Sequence, residues 1–113
     1  GGITGFVVDC RGIEVKPALV PRIMDENGNV VYGSAYVSRD HAVKEGMVGY
    51  VQEIEAMGDH FRSGATPLVV KGIRTADAGA TDIVISNADG ARIRGSASNL
   101  ELLQRCRVTI LLD

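Results

Sequence analysis

Nucleophilic chemistry in this chain would fall to Cys10 or to Asp9 beside it. Asp9 and Cys10 close an apolar run and precede Arg11-Gly12, a position where α/β enzymes often mount a nucleophile. A thiol attacks as the thiolate, so it needs a base or a cation nearby. The histidines are His41 and His60, both in an acidic, helix-patterned stretch, and a buried structural thiol is the simpler reading of Cys10. Metal binding fares no better. His41 with Asp40 and Glu45, and His60 with Asp59, would be the ligands, but a site needs three or four that converge, and no HxxxH or HExxH spacing exists. Solvated side chains are expected there, with no metal or other cofactor.

Two further constellations involve more of the chain. Ser86 to Gly95 (SNADGARIRG) follows an apolar strand pattern and opens a helix, so its backbone N–H groups could meet an anion. Ser86, Asn87, Arg92 and Arg94 would be the binding residues. The segment lacks GxGxxG and Walker glycine-lysine patterns, and Asp89 in the first turn repels phosphate, so helix capping is favoured. Cys10 ends the first strand and Cys106 begins the last; as antiparallel neighbours they would face each other at one end of the sheet. A bridge would close a loop of about 97 residues and add on the order of 4 kcal/mol. Directly opposed strand positions suit a disulfide poorly, so free thiols are the favoured state.

The bulk properties narrow the classes. At 113 residues, 45% hydrophobic and 23% charged, the chain is one globular domain over 1–113, neither disordered nor carrying the roughly 20 apolar residues of a membrane-spanning helix. A net charge of −2, no Trp and five aromatics argue against nucleic-acid binding. Charge is uneven along the chain. Asp25, Glu26, Asp40, Glu45, Glu53, Glu55 and Asp59 face only Arg39 and Lys44, which marks either a solvated face or a docking surface. The start at Gly1-Gly2 reads as a trimmed or processed product of a secreted precursor.

The positioning elements follow from local pattern. Gly5 to Cys10 is a buried strand. Val15 to Asp25 carries Pro17 and Pro21 and reads as an edge strand or extended connector, since proline cannot donate to a ladder. Asn27-Gly28, between Ile23-Met24 and Val30-Val31-Tyr32, specifies a tight hairpin turn. Ser38 caps a helix that breaks near Gly46 and Gly49, with a second helical segment expected through Ile54, Met57 and Phe61. Leu68 to Arg74 and Asp82 to Ser86 form an antiparallel hairpin, one helix runs from Ser86 to Gln104 or Arg105, and Val108 to Leu112 is a central strand. The expected fold is α+β in two layers: a mostly antiparallel sheet of five to six strands with about two helical regions on it.

Three stretches together resemble a known family: Thr4 to Gly12 leading to Lys16-Pro17-Ala18-Leu19-Val20-Pro21-Arg22-Ile23; Val31-Tyr32-Gly33 with Gly46-Met47-Val48-Gly49-Tyr50; and Pro67 to Gly72 followed by Thr81 to Ser86. They are similar to small bacterial cell-envelope domains related to a Helicobacter-type outer-membrane lipoprotein family and to the flagellar assembly proteins P and T. The likeness covers nearly the whole chain, rests on strands and turns, and transfers no catalytic residue. It departs at Cys10, where such domains often carry alanine. It implies a non-enzymatic domain at the periplasm or outer-membrane periphery, acting through contact with envelope or flagellar proteins or as a homo-oligomer. Any membrane attachment would come from a lipid anchor outside these residues.

Overall fold

The computed structural model describes residues 2–52 and 61–113. Among these, seven strands and three α-helices follow in the order β1 (Phe6–Asp9), β2 (Ile23–Met24), β3 (Val30–Tyr32), a 3-10 turn (Ser34–Tyr36), α1 (Arg39–Glu45), β4 (Gly49–Val51), β5 (Leu68–Thr75), β6 (Ile83–Ile85), α2 (Asn87–Ile93), α3 (Ala97–Gln104) and β7 (Val108–Leu111). One sheet holds all seven strands in the order β3-β2-β6-β5-β1-β7-β4.

The class is α+β, but the sheet is mixed and mostly parallel, which overturns the expected antiparallel sheet of five to six strands. β1 lies parallel to both β5 and β7, β4 is parallel to β7, and β2 is parallel to β6. Among the described residues, antiparallel pairing occurs only where a short connection joins consecutive strands, in β2–β3 and β5–β6. Long crossovers produce parallel neighbours, and no local residue pattern announces them. Of the two readings of the proline stretch, the structure takes the connector: Pro17 and Pro21 sit in an irregular segment outside the sheet, and β2 lies between β3 and β6 while β3 and β4 form the edges.

The expected helix break falls at Gly46, which closes α1 with φ of +78°, and the residues after it form the short strand β4. Of the second expected helical segment, Ile54 and Met57 lie outside the described residues. The single expected helix after Ser86 is two: Ser86 Oγ accepts from Asp89 N at the start of α2, and Ser96 Oγ accepts from Asn99 N at the start of α3. A second side-chain cap thus restarts the helix after Gly95.

The interior is organised around β1. Phe6, Val8, Ile83, Ile85, Val108 and Ile110 are all within 1% of complete burial, and Ile93 and Leu103 from the helices join them. At the start of β1 the backbone itself is packed: a Cβ on Gly5 would lie 2.7 Å from both the Arg107 carbonyl oxygen and the Ser63 Cα. Ser63, fully buried, donates to the Phe6 carbonyl at 2.7 Å and lies 2.8 Å from Thr109 Oγ1, so the polar atoms at this crossing are satisfied.

Candidate protein-contact surface

The residues with chemical potential are dispersed. Cys10 and Cys106 are both free and fully buried, at opposite ends of the parallel pair β1–β7. The antiparallel arrangement that would have let them face each other is absent, and the full length of the paired strands lies between them, beyond disulfide reach. Burial, with the Asp9 charge beside it, pushes the Cys10 thiol up to about 12, so it is protonated at neutral pH. Asp9 is itself occupied. Arg11 binds its two carboxylate oxygens at 3.0 and 2.8 Å and holds it down at about 2.

The four residues considered for an anion have separate duties. Ser86 caps α2, and Asn87 Oδ1 accepts from Glu26 N at 2.9 Å, tying the helix to the β2–β3 turn. Arg92 pairs with Asp89 at 3.0 Å on the exposed side of α2. Arg94 turns the other way, donating to the Val31 carbonyl at 3.1 Å and stacking 4.2 Å above the Tyr36 ring. The two arginines therefore do not converge. His41 lies on α1 with its Nδ1 buried and without a hydrogen-bond partner; His60 and Asp59 lie outside the described residues. Among the described residues no three His, Cys, Asp or Glu side chains come together as a metal site would need.

What does converge is apolar and exposed. Leu19 is 91% exposed, Val20 59% and Val43 79%, and all three line one groove of about 450 Å³ with Val37, Ala42 and Met47. A second groove of about 290 Å³, lined by Pro17, Ala18 and Tyr50, continues from it through Leu19, Gly46 and Met47. Large apolar side chains scattered singly need no explanation; grouped on one concavity they make it the candidate contact site.

The elements that carry this face are firmly held. Tyr50 Oη accepts from Ala18 N at 3.0 Å and donates to the Ala18 carbonyl, which fixes the connector under Leu19. Burial raises this hydroxyl above the usual tyrosine range. Tyr32 Oη donates to the Met47 carbonyl at 2.6 Å, and its hydroxyl is raised further, again by burial. Ser38 N donates to the Gln104 carbonyl at 2.9 Å, joining the start of α1 to the end of α3. At the other end of α1, Arg62 donates to the carbonyls of Gly46 and Cys106 at 2.9 and 3.2 Å and to that of Glu45. α1 is thus tethered at both ends while Val43 on its outward side stays 79% exposed.

Sequence reasoning missed this surface. Val43 falls on the helical apolar spacing that normally marks a core stripe, and only its 79% exposure removes it from the core. Leu19-Val20 left a weak signal: an apolar pair between two prolines cannot be held in a central strand. Residues 5–113 match the family model of the second domain of Treponema pallidum Tp0624. No curated protein matches the chain.

Proposed function

We propose that this chain, which belongs to the family of the Tp0624 second domain, is a non-enzymatic contact domain of the bacterial envelope. The observation that carries this is the exposed apolar face of Leu19, Val20 and Val43, mounted on elements anchored by Tyr50, Ser38 and Arg62. An anchored apolar face costs little ordering entropy when a partner covers it, which favours association. The thiol and carboxylate that could have served an enzyme are held in unreactive states, Cys10 by burial and Asp9 by Arg11. Placement at the periplasm or outer-membrane periphery, with flagellar proteins among the partners, belongs to the same proposal and rests on the resemblance of the strands and turns.

The test uses the protein as its own cells make it. A photo-crosslinking residue at Leu19 should yield adducts with a second polypeptide, while the same residue at exposed Glu101 on α3 should not. Equal adducts from both positions, or none from Leu19, would contradict the contact reading. Recovery in the cytosolic fraction would contradict the envelope placement.

A further inference from the structure

α1 reads Arg39-Asp40-His41-Ala42-Val43-Lys44-Glu45, and its charges reverse sign about Ala42: Arg39 mirrors Glu45, and Asp40 mirrors Lys44. Two such helices laid antiparallel about a two-fold axis at Ala42 set Asp40 opposite Lys44 on the flank they share, while Glu45 lies on a different side of the helix from Arg39. Parallel packing would set like against like. All four side chains are exposed, and among the described residues no salt bridge uses any of them.

The helical geometry places Asp40 and Lys44 beside the apolar face. Arg39, Ala42, Val43 and Gly46 share the i, i+3, i+4, i+7 side of α1 and line the groove of about 450 Å³. Asp40 and Lys44, four apart, share one flank of that side. In an antiparallel two-fold pair a flank meets its own counterpart, so Asp40 of one copy meets Lys44 of the other twice over. Val43 and Val20, with Leu19 beside them, supply the apolar centre, and a contact of this kind is self-complementary as a closed dimer requires.

We propose that a second copy of this chain docks on this face, α1 against α1, antiparallel about Ala42. The proposal rests on the contact-domain reading above and names its partner. A contact built on one seven-residue helix and one connector belongs to the small interface class, below about 1,200 Å² in total, so association in the micromolar range is expected.

Sedimentation velocity on the purified chain, from about 1 µM to about 1 mM, spans that range. The expected result is a reversible dimer. Val43→Asp should weaken it more than about a hundredfold, because two carboxylates would be buried at the axis. Lys44→Glu should weaken it about tenfold by opposing acids on the flank, and Asp40→Lys with Lys44→Glu should restore it to within about threefold of the original. Position 43 is solvent-facing, and circular dichroism confirms that each variant is folded. A monomer at every concentration overturns the proposal, as does a dimer indifferent to Val43→Asp or to the charge reversals. A monomer that still crosslinks to another protein from Leu19 sinks the dimer and leaves the contact reading standing; a monomer that crosslinks to nothing sinks both.

Discussion

Val8 and Val43 carry the same side chain in opposite circumstances. Val8, in β1 between β5 and β7, has no exposed surface; Val43, on α1, is 79% exposed. The region around Val8 is apolar because folding buries it, at roughly 25 cal/mol for each Å² removed from water. The region around Val43 draws no such gain from folding. Its backbone is nonetheless held at both ends of α1 by Ser38 and Arg62. Apolar character in the first region is accounted for inside the chain, and in the second it calls for something outside it.

Substitutions separate the two regions. Ile110→Ala, at a fully buried position, should cost about 2–5 kcal/mol in denaturant unfolding, whereas Val43→Ala should stay within about 0.5 kcal/mol. A comparable loss at both sites would break the contrast and return α1 to the core. Gly5→Ala comes next, at about 1–3 kcal/mol or more. Its new Cβ would press on the Arg107 and Ser63 backbones, which cannot rotate away as a side chain can. A neutral Gly5→Ala in the same unfolding measurement would mean that the crossing of Ser63 with β1 is looser than described.

The smallest effect lies at the far end of β1. Asp9 is held at about 2 in the folded state, first by the Arg11 hydrogen bonds, against a usual value of 3.8. A carboxyl lowered on folding contributes stability that is fully present above the unfolded value and is lost as pH falls through the folded one. The chain should therefore lose part of its stability between about pH 4 and pH 2, and Asp9→Asn should flatten the curve in that window. An unchanged acid limb in the variant would show that Arg11 does not hold Asp9 in solution.

Local features of the fold were legible in the sequence. Asn27-Gly28 specifies the β2–β3 turn, where Gly28 adopts φ of +82°, and Ser86 with an acid three residues on specifies the cap of α2. Gly46 as a helix break was also legible. Strand order was not, because β1 finds β5 and β7 across most of the chain and the hairpin signals speak only for consecutive strands. That one gap carried the Cys10–Cys106 bridge with it, since facing cysteines required antiparallel neighbours. The exposed apolar groove stayed hidden for a different reason: helical spacing tells which residues share a side of α1, and gives no indication that the side is left uncovered.

Chemical footprinting at position 43 tests the contact face most directly. Cys10 and Cys106 are both fully buried, so in Val43→Cys a maleimide reports on position 43. Rapid labelling of dilute purified protein, with strong protection in intact cells and none at a Glu101→Cys control, is the expected pattern. Equal labelling of Val43→Cys in dilute solution and in cells would mean that nothing covers this face, and the contact-domain reading would fall.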